Sequence, residues 1–231
     1  TNTCLHNSFS SLDGQNCNSG SCESDIIPGT DCTDCGPVVM DVTTNDPRNL
    51  AQWWLTNINI DNSVWNEANG TDTDIIMIDD GISSSHEDLD HTRVTRFGTG
   101  PNDHGTPVFG TIGAITNNNL GIASVANQYR HLYSYASIDG DHPLSQTFAL
   151  TDYENEQKVV WTNSWGPSQF QGQVWSYFTA LFDAHLSDRN GLGSLIVFAS
   201  GNDGVHYSTE LNQLLGHELV VAVGSATESL V

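Results

Sequence analysis

Apolar residues along the chain follow two rhythms. Short unbroken runs occur at Ile75-Ile76-Met77-Ile78, at Leu195-Ile196-Val197-Phe198-Ala199 and at Leu219-Val220-Val221-Ala222-Val223, with Val159 to Thr162 a weaker fourth. Runs of this length, bounded by polar residues, suit strands buried on both faces of a sheet. Between them, Val174, Tyr177, Phe178, Leu181, Phe182 and His185 recur every three or four residues and end near Asn190-Gly191. Val108, Ile112 and Ile115 repeat in the same way, so both stretches predict helices with one apolar stripe. Strands alternating with helices predict an α/β sandwich around a parallel sheet. Functional groups of such sheets gather at the carboxyl ends of the strands.

The first 37 residues break the pattern. All five cysteines, Cys4, Cys17, Cys22, Cys32 and Cys35, lie there, separated mainly by Gly, Ser, Asn and Asp. With almost nothing apolar to bury, the segment needs another means of support. Disulfides in an oxidising compartment supply one, and a four-cysteine zinc site is the alternative, because Cys32 and Cys35 have C-x-x-C spacing. The odd cysteine count implies a partner before Thr1. The expected organisation is a small Cys-rich disulfide module over 1–37 and a main domain over 38–231 that is incomplete at its C-terminal end.

Composition narrows the function classes. A chain of 231 residues with 37% apolar content can bury one sizeable core. Its 28 acidic residues against 6 basic ones give a net charge of −22, which makes nucleic acid and anionic membrane poor partners. No apolar run reaches the roughly 18 residues of a membrane span, and Thr1 to Ser10 lacks the basic and apolar pattern of a signal peptide. Most carboxylates are read as solvated surface, and the remainder as ligands for calcium or a basic substrate.

Three segments fall at predicted strand ends or helix starts: Ile78-Asp79-Asp80-Gly81-Ile82, Asn102-Asp103-His104-Gly105-Thr106-Pro107 and Ala199-Ser200-Gly201-Asn202-Asp203-Gly204. Peptide acyl transfer needs a base for the nucleophile's proton, a carboxylate that fixes the base's tautomer, and a donor for the developing oxyanion. An Asp ending a buried strand, a His opening a helix and an Asn in a glycine turn supply these three groups. Pro107 is tolerated in a first helical turn.

Taken together and in this order, Asp79-x-Gly81, His104-Gly105-Thr106 and Ser200-Gly201-Asn202 resemble the signatures of subtilisin-like serine proteases. The doubled Asp79-Asp80, the segment Asn163-Ser164-Trp165-Gly166-Pro167, and Asp46-Pro47-Arg48 followed by Gln52-Trp53-Trp54-Leu55 resemble the kexin/furin branch. The resemblance runs from about Asp46 to Val231. It implies a three-layer α/β sandwich with a mostly parallel central sheet, acting on protein or peptide substrates. Asp79 resembles the triad aspartate, His104 the general base and acid, and Asn202 the oxyanion-hole side chain. Asp80 then helps line the P2 pocket, and Asn163, Ser164, Trp165 and Gly166 belong to the strand that binds the substrate backbone. Calcium is the implied cofactor, with Asp46, Asp88 and the Asn118 amide oxygen as ligands and the carbonyls of Thr116, Leu120 and Ile122 completing the shell.

The family's nucleophile lies in a Gly-Thr-Ser segment, and none occurs before Ser229-Leu230-Val231. The resemblance therefore places the catalytic Ser beyond Val231, in a missing C-terminal part of the same protein, and implies that the isolated chain is inactive. The alternative is a non-catalytic extracellular module that keeps the fold, and its calcium, for binding. Ser168-Gln169-Phe170-Gln171 stands where the basic-residue cleavers carry carboxylates, which leaves the P1 preference open. His86 and His91 are five residues apart rather than four, so His86-Glu87-Asp88-Leu89-Asp90-His91 is read as a surface loop and not a zinc helix. Asn69-Gly70-Thr71 is an N-glycosylation sequon, consistent with a chain that is secreted or works in the secretory-pathway lumen.

Overall fold

The computed structural model describes residues 16–18, 21–23, 44–143, 158–166, 188–202 and 215–229. The chain forms two compact units, Thr1–Asp41 and Val42–Val231. In the first, β1 (Asn16–Asn18) and β2 (Ser21–Glu23) pair antiparallel, a register that sets Cys17 opposite Cys22. The rest of the Cys-rich module lies outside the described residues. So do the helical stripe from Val174 to His185, Pro167 to Gln171, and Asp203.

The second unit is built on a six-stranded sheet in the order β4-β5-β3-β6-β7-β8, parallel throughout. Its strands are β3 (Thr73–Asp79), β4 (Val94–Phe97), β5 (His131–Ala136), β6 (Lys158–Asn163), β7 (Leu195–Ala199) and β8 (Val220–Val223). Side chains alternate across a strand, and β3 divides its apolar residues accordingly. Ile76 and Ile78 pack on one face with Tyr135, Trp161, Ile196 and Phe198. Ile75 and Met77 pack on the other with Leu132, Tyr129 and Phe109. Phe109 belongs to α3 (Gly105–Gly113), which covers that face with Val108 and Ile112 at its margin.

Two short helices, α1 (Trp53–Asn57) and α2 (Asn62–Glu67), bury Leu55 and Trp65 in a satellite cluster with Ala123. The Asp61 side chain caps α2 by accepting the Ser63 and Val64 N–H groups. A further turn of helix, α4, spans Asp188–Gly191. Among the described residues no helix is long and apolar enough to cross a membrane.

The sheet and its parallel sense agree with the sequence, and two details differ. Ile115 lies beyond the end of α3, which stops at Gly113. Among the described strands only β3 is buried on both faces nearly throughout, whereas β8, at the end of the described sheet, leaves Val221 and Val223 about half exposed. An apolar run alone does not distinguish a central strand from an end strand.

Candidate active site

Asp79 ends β3 on the same face as Ile75 and Met77, four and two residues before it, so its side chain points toward the helix that covers that face. Its strand lies between β5 and β6, where the chain passes from one half of the sheet to the other. Such a switch point leaves a crevice at the carboxyl ends of the strands. The Asp79 carbonyl accepts the N–H groups of Ser137 and Ile138, each at 3.0 Å, which fixes the backbone there.

His104 is the N-cap residue of α3. Its Nδ1 lies 2.8 Å from Asp79 Oδ1, joining a 2% exposed carboxylate to a 57% exposed imidazole. A neutral imidazole in this contact donates from Nδ1, leaving Nε2 as the acceptor. The Asp80 N–H donates to the same Asp79 oxygen at 2.8 Å. Asp79 Oδ2 is buried and has no hydrogen-bond partner among the described residues. Burial pushes the Asp79 carboxyl above its ordinary pKa, against the opposing pull of the His104 hydrogen bond, the Asp80 N–H and the His104 charge. The ionised acid thus depends heavily on His104 for its stabilisation.

Asp80 fixes where His104 stands. Its Oδ2 accepts the His104 N–H at 3.0 Å and its Oδ1 accepts the Gly105 N–H at 2.7 Å, so a 5% exposed carboxylate closes the start of α3. Free N–H groups and the positive end of the helix dipole both favour an anion there. The two glycines of the motifs have a steric reason. Gly81 adopts φ +100°, and a Cβ on Gly105 would stand 2.1 Å from the Gly81 carbonyl oxygen. Strand end and helix start meet backbone to backbone, which brings Asp79, Asp80 and His104 together.

The remaining candidates occupy other parts of the same sheet. Asn163 ends β6 in register with Ile78 and donates from Nδ2 to the Val197 carbonyl at 3.1 Å, on the face opposite Asp79. Ser164, Trp165 and Gly166 leave the sheet just after it. The Trp165 ring packs edge-on against Phe198 at 5.5 Å, and a Cβ at Gly166 would meet open space. Asn202 is exposed in the turn after β7, beyond Gly201 at φ +97°. Among the described residues no hydrogen bond joins it to Asp79 or His104. Sequence reasoning missed the closing of α3 by Asp80, because the contact spans 24 residues and the doubled Asp was its only signal.

A second pair of buried carboxylates lies elsewhere in this unit. Asp46 and Asp88 are each 3% exposed. Asp46 accepts the N–H groups of Asn117 and Asn118 at 2.9 and 3.1 Å, and Asp88 accepts Asn118 Nδ2 at 2.7 Å and the Ile122 N–H at 3.1 Å. The loop that supplies these donors curls because Asn117, Asn119 and Gly121 alternate in the left-handed region, where Asn and Gly are least strained. Asn118 Oδ1 accepts the Leu120 N–H at 2.8 Å, and Thr116 Oγ1 accepts the Ser124 N–H at 3.0 Å, closing the loop on itself. A Cβ on Gly121 would fall 1.9 Å from Asp88 Oδ2.

Two buried carboxylates, a side-chain amide oxygen and loop carbonyls form the donor set of a hard cation such as calcium. The hydrogen bonds recorded for Asp46 and Asp88 come from amides, with no Lys, Arg or His among the donors. By residue type the set suits a divalent cation, although here the carboxylates face N–H donors and Asn118 turns its Nδ2 to Asp88 and its Oδ1 to the Leu120 N–H. Among the described residues, no three His, Cys, Asp or Glu side chains cluster as a metal site, so the fit rests on amide and carbonyl oxygens beside the two acids.

Comparison with known proteins gives a consistent picture. The model of the subtilase family matches residues 70–229. Human proprotein convertase subtilisin/kexin type 7 is 27% identical over 192 residues, covering 70% of this chain and 24% of that protein. Kexin of Saccharomyces cerevisiae is 26% identical, covering 71% and 23%. A calcium-dependent protease of Trichormus variabilis is 29% identical, covering 72% and 28%. The chain spans about a quarter of the length of these relatives. Among solved structures, fervidolysin from Fervidobacterium pennivorans, a keratinolytic enzyme related to subtilisin, superposes with a TM-score of 0.51 at 21% identity, over 68% of this chain and 25% of that one. That likeness is one of fold.

Proposed function

The chain belongs to the subtilase family, and from that premise we propose that it carries the Asp and His of a serine endopeptidase. The observation that carries this reading is the 2.8 Å contact between a buried Asp79 and a half-exposed His104 at the carboxyl edge of the sheet. His104 Nε2 takes the proton of a serine hydroxyl, supplied by the complete protein, as Oγ bonds to the scissile carbonyl carbon. Asp79 holds the Nδ1–H tautomer and stabilises the imidazolium that forms. Asn202 donates to the oxyanion. His104 then passes its proton to the amine as the C–N bond breaks, and water reverses the sequence to release the acid. Asp80 positions His104 through the helix start and lines the neighbouring subsite, and Asn163 to Gly166 present the edge along which the peptide extends.

Calcium is the cofactor of this reading. Asp46, Asp88, Asn118 and the carbonyls of Thr116, Leu120 and Ile122 would hold it, and the bound ion would neutralise the two acids and fasten the loop to Asp46. The sequon at Asn69 and the early cysteines fit passage through the secretory pathway. The Asn69 Oδ1 accepts both the N–H and the hydroxyl of an exposed Thr71, so the tripeptide sits at the surface between α2 and β3.

The test is covalent labelling of the complete protein with an organophosphonate serine reagent. Labelling that His104→Ala abolishes is expected. A complete protein that resists the reagent, and whose sequence holds no Gly-Thr-Ser segment, overturns the reading.

A further inference from the structure

The link between β4 and α3, residues 98–104, runs along the backbone of Asp80 and Gly81. A Cβ on Gly100 would stand 2.0 Å from the Asp80 carbonyl oxygen, and one on Gly81 would stand 2.7 Å from Asn102 Oδ1. At its far end the link is fixed by Asp80, whose carboxylate accepts the His104 N–H at 3.0 Å. Its near end is fixed by another acid, Asp141, in the loop that follows β5.

Three hydrogen bonds join Asp141 to Thr99. The Asp141 carboxylate accepts the Thr99 N–H on Oδ1 and the Thr99 hydroxyl, at 2.8 Å, on Oδ2. In return the Asp141 N–H donates to the Thr99 carbonyl at 3.0 Å. The Thr99 N–H, and after it the hydroxyl, hold the exposed Asp141 carboxyl below its ordinary pKa, so the contact is charge-assisted at neutral pH. The flanking rings pack as well. Phe97 and Tyr135 stack at 4.4 Å, and the His142 ring lies 6.0 Å from the first and 5.3 Å from the second.

The same loop holds the other member of the pair. Ser137 and Ile138 donate their N–H groups to the Asp79 carbonyl, and the His142 N–H closes the loop on the Ala136 carbonyl, each at 3.0 Å. One stretch, 136–142, thus grips Asp79 by its backbone and, through Thr99, grips the link that delivers His104. We propose that Asp141 is a positioning residue, whose clasp on Thr99 sets the link before α3 and thereby aligns His104 with Asp79. An exposed contact of this kind adds little to global stability. Alignment of reacting groups is far steeper, since a displacement of about 1 Å can cost about 10²-fold in rate. The inference rests on the peptidase reading above and adds to it a residue outside the reacting groups.

The experiment measures kcat and KM of the complete protein on one peptide substrate, at a temperature below the Tm of every variant. Asp141→Ala is expected to lower kcat about tenfold while KM stays within about twofold. Asp141→Asn should keep kcat within about twofold, because an amide can accept the Thr99 N–H and donate to the Thr99 hydroxyl. Thr99→Val removes one of the three hydrogen bonds and should fall between the two. Asp141→Ala combined with Thr99→Val should be no slower than Asp141→Ala alone, since both remove the same contact. In a protein that labels with the serine reagent, three results overturn the inference alone: a native kcat in Asp141→Ala, a loss confined to KM, or an asparagine variant as slow as the alanine one. If Asp141→Ala does not fold, Thr99→Val decides by the same split, a lowered kcat supporting the inference and a native one overturning it. A protein that neither labels nor cleaves removes the peptidase reading and the inference with it.

Discussion

Two pairs of buried aspartates sit in the same unit, and their partners set them apart. Asp79 and Asp80 end a central strand and engage a helix start whose first side chain is a titratable, half-exposed imidazole. Asp46 and Asp88 are wrapped by a loop of amide donors. In the first pair one carboxylate oxygen is left bare and the acid's pKa is raised, a state in which a proton shift at His104 has a large electrostatic effect. In the second, amide N–H groups from one loop satisfy both carboxylates. The same residue type at similar burial thus faces an imidazole in one place and a loop of backbone and side-chain amides in the other.

The strongest way to break this contrast is to exchange the roles by mutation. In the complete protein, Asp79→Asn should lower kcat by about 10⁴-fold, because Asn cannot hold the Nδ1–H tautomer against a developing imidazolium. Asp88→Ala should act mainly on folding. It strands the Ile122 N–H and the Asn118 amide, with an expected loss of about 2–5 kcal/mol in denaturant unfolding and loss of any calcium-dependent rise in Tm. Comparable kcat losses from both substitutions, at matched stability, would erase the distinction.

Gly121→Ala sharpens the comparison. The added Cβ meets Asp88 Oδ2 at 1.9 Å and the backbone lies at φ +45°, so an Ala there should destabilise by about 1–2 kcal/mol from its conformation alone and by more through the clash. In an Asp88→Ala background the clash disappears, and the double-mutant cycle should show a clear non-additive saving.

The pH dependence of stability separates the acids by sign. Asp79 has its folded pKa raised, chiefly by burial. Its favourable contribution is complete below the ordinary carboxylate pKa and is lost as pH rises through the folded value. Asp79→Asn should therefore melt at or above the native protein at neutral pH, with the gain vanishing in acid. Asp61, at the α2 cap, has its pKa lowered, chiefly by the Ser63 hydrogen bond. Its contribution is present above the ordinary value and is lost as pH falls through the folded one. Asp61→Ala should cost about 1 kcal/mol at neutral pH and less in acid, readable from urea melts at two pH values.

How much of this was legible in the sequence depended on whether local pattern and tertiary role agreed. β3 reads as an unbroken apolar run because both of its faces are covered, and α3 reads from Val108 and Ile112. β4 and β5 left no such trace. Thr95 and Arg96 interrupt β4, a partly buried end strand, and His131 and Ser134 interrupt β5 although most of that strand is buried. α1 and α2 are too short for a 3.6-residue period to show. Asp79 and His104 were legible because their spacing to glycine is imposed by backbone contact. The buried Gln52 was legible only as part of Gln52-Trp53-Trp54-Leu55, and its two hydrogen bonds of 2.7 Å with the Ala123 backbone, which anchor the loop segment, span 71 residues and left no local signal.

The central claim is that Asp79 fixes the tautomer of His104 and leaves Nε2 as the proton acceptor. ¹⁵N NMR of histidine-labelled complete protein at neutral pH measures this directly. The expected result is a His104 signal with the proton on Nδ1, lost or shifted to Nε2 in Asp79→Asn. A His104 protonated on Nε2 in the native protein, or one indifferent to Asp79→Asn, would contradict it.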